Sequence, residues 1–600
     1  MNPFKLIIRY SVKSFKILKN DGVSHLYTKI RNKLYYNLSE KKRYQLWINK
    51  NEPKPGEIRN QRNISFLNMP KISLVVPAYN TPKKYLVAMI ESVASQSYSN
   101  WELCIAYGGN HDLDVNTILE RYASNESRII VKLLNNRGIA GNSNEAIALS
   151  TGDYIAFLDH DDTLASFALF ELVKAINENP GADLLYSDED ILSDDGTKRM
   201  EPQFKPDWSP DLLRSFNYIC HLTALSKQLL ALIGPFREGF EGSQDHDLFL
   251  RASEQSKKIV HISKVLYHWR SHASSVAMNM SAKLYAFDAG KRAVADHLDR
   301  IGFDGTVEDG LFLGSYKINF AIHGAPLISI IIPNHNNFVD LQKCVQSVLG
   351  KLTYANYEII IVESNSSDPA VFHYYEQLGT DKRIKVIVWD KPFNYSAVNN
   401  YGAGHSSGSM LVFLNNDTEI INTDWLQQMA GHAQRKDVGA VGAKLYYPDD
   451  TIQHGGIILG LRGITGHAHR YFPRDSHGYM GRLKVVQNVS AITGACFMTR
   501  KVVFEKVGGF DEDYPLAFGD IDYCLKLRGR GYLIVWTPYA ELYHYESKTR
   551  GSDEEVPEKK LRFFREFELY KNKWQHMPLL DDPYYNPNLT RDSENFSIRI

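Results

Sequence analysis

Cysteine is scarce in this chain, charge of one sign is not in excess, and long apolar runs are missing. The five cysteines, Cys104, Cys220, Cys344, Cys496 and Cys524, are odd in number and form no CxxC pair. That excludes a disulfide framework or a thiolate zinc site as the organising chemistry and fits a reducing compartment. Lysine plus arginine and aspartate plus glutamate each number 69, so the formal net charge is zero and no bulk attraction to nucleic acid is expected. No uninterrupted apolar stretch reaches the ~18–20 residues that span a bilayer. No basic start, apolar middle and small-residue cleavage site marks a secretory leader. The expected location is the cytoplasm.

What the chain has is a duplication. Residues 72–80 read ISLVVPAYN and residues 328–336 read ISIIIPNHN; residues 150–162 read STGDYIAFLDHDD and residues 406–418 read SSGSMLVFLNNDT. Pro77 and Pro333 are separated by 333 − 77 = 256, and Asp161 and Asp417 by 417 − 161 = 256. This far exceeds the 20–50-residue period of solenoids and propellers, so the repeated unit is a whole domain. Each copy opens on a short β-branched strand that is apolar on both faces. An amphipathic segment follows (YLVAMIESVASQ or LQKCVQSVLG), then a second strand (WELCIA or YEIIIV). That alternation predicts an α/β fold with a doubly wound, Rossmann-like sheet in each copy. Ligands of such sheets bind at the carboxyl ends of the strands.

The expected boundaries follow. Residues 1–70 form a leading region in which NEPKPGEIRNQ reads as a linker, 71–280 the first module, 281–325 a connector, 326–555 the second module, and 556–600 an aromatic-rich tail. In the leading region, apolar residues from Phe4 to Leu18 alternate with Lys5, Arg9, Lys13, Lys16 and Lys19, and no acid precedes Asp21. A basic amphipathic helix of this kind lies in a membrane interface or docks on the first module with its lysines in solvent.

Three shared elements carry chemistry. The strand YIAFL ends in Asp159-His160-Asp161-Asp162, and its repeat ends in Asn415-Asn416-Asp417. Acids spaced in this way at a strand end share a hard divalent cation that bridges to a diphosphate; a solvated acidic turn is the plainer reading of a single such motif. Downstream, GSQDHDLFLR holds Asp245 and Asp247, and GDIDYCLKLR holds Asp520 and Asp522. Both look like first helical turns, where acids also serve the helix dipole. Third, His272 in RSHASS and His544 in YHYESK each stand three residues before a serine. Imidazole is a ligand for Mn²⁺-like ions, and His268 in YHWR competes for that role.

This order of motifs resembles the inverting glycosyltransferases of family 2, which have the A-type nucleotide-sugar-binding (GT-A) fold. The phrases FLDHDDTL, FEGSQDHDL, PFNYSAVNN, FLNNDTEI, IQHGGIILG and YHYESKTRG are similar to tandem enzymes of bacterial O-antigen and surface-polysaccharide biosynthesis. The resemblance covers residues 70–555. It implies that Asp159 with Asp161, and Asn415 with Asp417, meet the donor diphosphate and its metal, Mn²⁺ or Mg²⁺. It implies His272 and His544 as further metal ligands and Asp245 and Asp520 as catalytic bases. Pro77, Tyr79, Asn80, Pro333, Asn336 and Glu363 fall on the donor-binding positions after the first and second strands. The donors implied are UDP- or dTDP-linked sugars, with a dTDP-deoxysugar suggested for module two by the rhamnosyltransferase-like NND. The acceptor implied is a lipid-linked glycan at the inner face of the cytoplasmic membrane.

Module one departs from the family pattern. Where a nucleobase-binding acid is expected it reads Ala106-Tyr107-Gly108-Gly109, so that Tyr107 stacks on the base or the donor is bound weakly. The expected reading is a bifunctional enzyme; the alternative is one active module with module one as an acceptor platform. A nucleotidyltransferase also uses a strand-end acidic pair, but no glycine-rich nucleotide loop opens either module. A non-catalytic carbohydrate-binding protein is the remaining rival.

Overall fold

The computed structural model describes residues 39–109, 113–271, 284–546, 557–575 and 581–600. Two mixed sheets are built to one plan. In the first the spatial order is Ile129–Leu133, Trp101–Tyr107, Ile72–Ala78, Tyr154–Phe157, Thr223–Ser226, Leu184–Ser193, Ile259–Ser271, Thr163–Leu164. The second runs Ile384–Val388, Tyr357–Glu363, Ile328–Asn334, Met410–Leu414, Cys496–Arg500, Val438–Tyr446, Leu533–His544, Thr418–Ile420. In both, the first four strands are parallel and the fifth joins antiparallel. The repeat extends to residue-level pairing. Ile72 faces Trp101 and Val75 faces Phe157, while Ile328 faces Tyr357 and Ile331 faces Phe413. Pro77 lies beyond the last residue paired to the fourth strand, where a missing N–H is tolerated.

A buried polar device fixes the strand that leads to each acidic cluster. Ser73 donates to Glu102 at 2.6 Å, and Glu102 accepts the backbone N–H of Thr151 at 2.5 Å. In the repeat Ser329 donates to Glu358 at 2.7 Å, and Ser407 N–H donates to Glu358 at 2.6 Å. A Cβ on Gly152 would sit 2.5 Å from Ser73 Oγ, and one on Gly408 would sit 2.6 Å from Ser329 Oγ. The glycine of STG and SSG is therefore required by close approach, not by a turn.

The two units are tied together by polar contacts and by the chain ends. Asp211, 2% exposed, accepts from Arg435 at 2.5 Å and from Asn488 at 2.7 Å. One apolar cluster is drawn from distant parts of the chain: Tyr44 and Trp47, Phe204, Val265, Ile458 and Leu461, and Tyr585, Leu589 and Phe596. The segment expected to be a linker contains the short helix Pro55–Gln61, with proline at the start, where its missing N–H costs nothing. The basic segment Phe4–Lys19 lies outside the described residues. Among the described residues no helix is long and apolar enough to cross a membrane.

Candidate active site

The acids and amides after the fourth strand, and Asp245 and Asp520 at their helix starts, lie in matching places in the two units. In module two they stand in one continuous series of polar contacts. His544 Nε2 is 3.1 Å from Asp417 Oδ1 and 3.3 Å from Asn415 Nδ2. Tyr395 donates its hydroxyl proton to Asn415 Oδ1 (3.2 Å) or Gly494 C=O (2.8 Å). Gly494 N–H in turn donates to Asp520 Oδ2 at 2.7 Å. The other Asp520 oxygen takes Ile521 N–H at 2.8 Å. Asp520 starts the helix Gly519–Arg528. Burial raises its carboxyl pKa above the ordinary aspartate value, against the pull of these N–H donors. A base held at such a position keeps some proton affinity. A Cβ on Gly494 would come 2.9 Å from the Tyr395 hydroxyl, so glycine is needed there.

Module one surrounds the corresponding acids with other residues. Asp245 opens the helix Gln244–Gln255 and takes His246 N–H at 2.8 Å and the Asn217 amide at 2.9 Å. His221 Nε2 stands 3.5 Å from Asp159 Oδ2, its ring stacked on Tyr267 at 4.7 Å. Burial disfavours the imidazolium, but Asp159 first and Asp245 after it outweigh that and raise His221 to about 9. Asp245 is raised by burial and held back by the His221 charge. His221 therefore carries a positive charge that favours the ionised forms of both Asp159 and Asp245. Strand pairing aligns Ala224 with Met498, which puts Ala495 at the position of His221, and Ile139 stands 256 residues before Tyr395.

The structure redistributes several expected roles. Tyr107 is 2% exposed and sits in the apolar core; it offers no open face for stacking on a base. Strand pairing sets Tyr107 against Ala78 as it sets Glu363 against Asn334, so a core tyrosine occupies the position of the acid. Glu363 is 3% exposed, and its two oxygens take Ser366 N–H (2.5 Å), Ser366 Oγ (2.8 Å) and Tyr375 OH (2.6 Å). It braces its own loop instead of presenting a carboxylate outward. Pro333 is buried and Pro77 half-buried, so only main-chain contacts near them are available to a ligand. Tyr79 is 43% exposed. Asn80 and Asn336, 336 − 80 = 256 apart, share a left-handed backbone at φ 48° and 53°, a conformation asparagine tolerates. The Asn336 side chain accepts Ser367 N–H at 2.8 Å.

Asp247 and Asp522 are buried structural acids. Asp247 is bound by Arg237 and by Arg251 (2.9 Å), and Asp522 by Trp574 Nε1 (2.9 Å) and Lys573 (2.7 Å). His272 lies outside the described residues. His268 pairs with Asp190 at 2.6 Å, not with the acids of the strand end.

Among the described residues no group of three or more histidine, cysteine, aspartate or glutamate side chains is placed to hold a metal. Module two gathers one oxygen and one nitrogen, Asp417 and His544, 3.1 Å apart. Two adjacent ligands of an octahedral ion with bonds of about 2.1 Å span a similar distance. Such an ion takes its other ligands from phosphate and water, so the pair fits a diphosphate-bound cation.

The Glycosyl transferase family 2 pattern matches twice, over residues 73–229 and 329–508. The chain belongs to that family. Each match covers most of one sheet unit, and the double α/β architecture is that of tandem GT-A modules. An uncharacterized Sinorhizobium fredii protein, y4gI, is 45% identical over 535 residues, 88% of this chain and 58% of the relative. The Myxococcus xanthus O-antigen biosynthesis protein RfbC is 36% identical over 558 residues, 93% of this chain and 43% of the relative. The chain thus spans about half the length of these two curated relatives. The Escherichia coli UDP-Glc:alpha-D-GlcNAc-diphosphoundecaprenol beta-1,3-glucosyltransferase WfgD is 28% identical over 219 residues, 36% of this chain and 82% of the relative.

Proposed function

We propose that the chain is a bifunctional inverting glycosyltransferase. Each module moves a sugar from a nucleoside-diphosphate donor to a hydroxyl of a growing, polyprenyl-diphosphate-linked surface polysaccharide. The observation that carries this is the placing, in both units, of strand-end acids or amides together with a partly desolvated aspartate at a helix start, joined by polar contacts in module two. In module two the contacts run Asp417–His544–Asn415–Tyr395–Gly494–Asp520; in module one His221 stands 3.5 Å from Asp159 and shares its electrostatic environment with Asp245. The similarity to RfbC supports the pathway class, and WfgD supports a UDP-linked donor and a diphosphoundecaprenol-linked acceptor.

In the mechanism Asp520, or Asp245, accepts the acceptor hydroxyl proton as the oxygen attacks the anomeric carbon. The bond from that carbon to the donor phosphate oxygen breaks on the opposite face. The nucleoside diphosphate departs with the electron pair, and the configuration inverts. Asn415 and Asp159 orient the diphosphate side. Asp417 with His544, and Asp161 in module one, would hold a Mn²⁺ or Mg²⁺ ion, which when bound offsets charge on the departing diphosphate.

The test is separability in the full chain. Asp520→Asn should remove one linkage and Asp245→Asn another, each by a factor on the order of 10²–10⁴, with donor binding retained. If Asp245→Asn leaves every product unchanged, module one is an acceptor platform and only module two transfers. Release of free nucleoside diphosphate from a sugar donor separates either reading from a carbohydrate-binding protein.

A further inference from the structure

Beside the acidic strand end of module one lies a cavity of 420 Å³, open on one side. Its walls include Lys84 and Ala88 of the helix Lys83–Ala94, Thr163, and the basic side chains Arg199, His268 and Arg270; Asp194 and Asp195 also line it. Most of these charges are matched. Arg199 is bound by Asp190 and Glu52, both at 2.6 Å. Asp195 is held in its own turn by Ser193 (2.5 Å) and Thr197 (2.8 Å). Asp194 meets Lys84 at 2.7 Å in a surface pair more than half exposed on both sides, and such pairs contribute little.

Arg270 is different. It is 7% exposed, and its side-chain bonds go to two carbonyls, Asp161 C=O at 2.8 Å and Asp194 C=O at 3.1 Å. Among the described residues it forms no ion pair with a carboxylate. Its guanidinium lies 5.0 Å from the Tyr85 ring centre. Buried cations are as a rule paired with an acid or a bound anion, because desolvating an unmatched charge is costly. His268, also 7% exposed, has Nδ1 at 2.6 Å from Asp190 and lines the cavity as well. The repeat provides a comparison. Asp340 and Glu419 stand 256 residues after Lys84 and Thr163, so module two carries acids where module one carries a lysine and a neutral residue.

We propose that this cavity is an anion site specific to module one, taking the phosphate or diphosphate group of a ligand between Arg270 and Lys84. Arg270 also touches the acidic loop, through Asp161 C=O and through its own N–H to Asp162 at 2.7 Å. Occupancy would therefore steady the donor-binding loop. The assignment of the anion to a lipid-linked acceptor rests on the glycosyltransferase reading; the site itself does not.

The experiment is calorimetric titration of the full chain with inorganic pyrophosphate and, separately, geranyl diphosphate. Chelator is present throughout to suppress cation-assisted binding at the strand-end acids. Saturable binding is expected, weakened at least tenfold by Lys84→Glu and by Ala88→Phe, which fills the cavity. Lys84 is a surface residue, so its variant keeps the test valid if the larger side chain disturbs folding. Tighter binding of geranyl diphosphate identifies the lipid-linked acceptor as the source; equal binding identifies a site that reads phosphate alone. No binding by the parent chain, or unchanged isotherms in both variants, overturns the proposal. Intact, variant-sensitive pyrophosphate binding in a chain that transfers no sugar would instead remove the enzymatic reading and leave the site standing.

Discussion

The side-chain amide of Asn586 donates to both carboxylate oxygens of Asp188, at 3.1 and 3.0 Å, across 398 positions of sequence. Asp188 also accepts Lys205 N–H at 2.8 Å and meets His261 Nε2 at 2.9 Å. The second ring nitrogen of His261 is 2.9 Å from Asp207, and Asp207 N–H donates to Pro583 C=O at 2.7 Å. The tail continues into module two, where Asp582 accepts Leu459 N–H at 2.8 Å and Ser490 Oγ at 2.6 Å. The last twenty residues thus bind both modules through one buried carboxylate each. Dividing the chain into separate modules would expose both.

This joint is pH-sensitive in a definite direction. Burial disfavours the His261 imidazolium, yet Asp188 and Asp207 raise it from 6.5 to about 9. A raised histidine contributes stability that is fully present below its unfolded value near 6.5 and is lost as pH rises through about 9. The His261→Gln variant should therefore unfold more easily than the parent at pH 6, by roughly 3 kcal/mol at most. The gap should narrow by pH 10. Denaturant midpoints of both proteins at four pH values check this; a gap that does not change with pH would show that the imidazole is neutral in the folded chain.

How much of this was legible follows the repeat. The constant offset of 256 exposed the paired strands, the strand-end acids and the two asparagines with left-handed backbone, because each is fixed by local backbone geometry. Asp245 and Asp520 were legible as helix-start acids at matching places. His221 was not, because the offset has drifted to 495 − 221 = 274 by that point and its counterpart is Ala495. Tyr395 was hidden although the offset still holds there, because Ile139 stands at its position in module one. Tyr107 was misplaced for a different reason. A Cβ on Gly109 would lie 2.1 Å from its hydroxyl, so only glycine there lets the ring fold inward. The linking tail has no local pattern at all; its bonds are decided by residues hundreds of positions away.

The hydroxyl of Tyr395 joins the Asn415 side of the module-two network to its Gly494 side. Tyr395→Phe keeps the ring against Phe510 and deletes only the bonds to Asn415 and Gly494. A hydrogen bond of this kind is worth about 1 kcal/mol, so the module-two linkage should slow by roughly five- to tenfold in kcat. Donor KM should change little. The module-one linkage should be unaffected, since Ile139 stands at that position. An equal loss in both linkages would show a general folding defect instead.

Cation dependence separates the two modules. Asp417 and His544 form a facing oxygen and nitrogen in module two, while the described part of module one offers Asp159 and Asp161 without a matching imidazole from His268. Chelator should abolish transfer, with Mn²⁺ or Mg²⁺ restoring it. His544→Ala should raise the ion concentration needed for the module-two linkage and leave the other unchanged. Full transfer in chelator would remove the metal assignment from both strand ends.

The proposed acceptor, tethered to polyprenyl diphosphate, would present its sugar at a membrane surface, where the chain would then have to work. The basic, apolar segment Phe4–Lys19 carries five cations, Lys5, Arg9, Lys13, Lys16 and Lys19, and no acid. Each cation near an anionic surface contributes about 1 kcal/mol, so five supply roughly 5 kcal/mol before any apolar insertion. That magnitude favours reversible, salt-sensitive attachment over permanent anchoring. The chain should sediment with vesicles rich in anionic lipid at low salt and release at high salt, and deleting residues 1–20 should abolish the association. Transfer to a soluble acceptor mimic should survive the deletion, because the catalytic networks lie wholly within the two modules. Equal vesicle binding by both forms at low salt would place the attachment elsewhere on the surface.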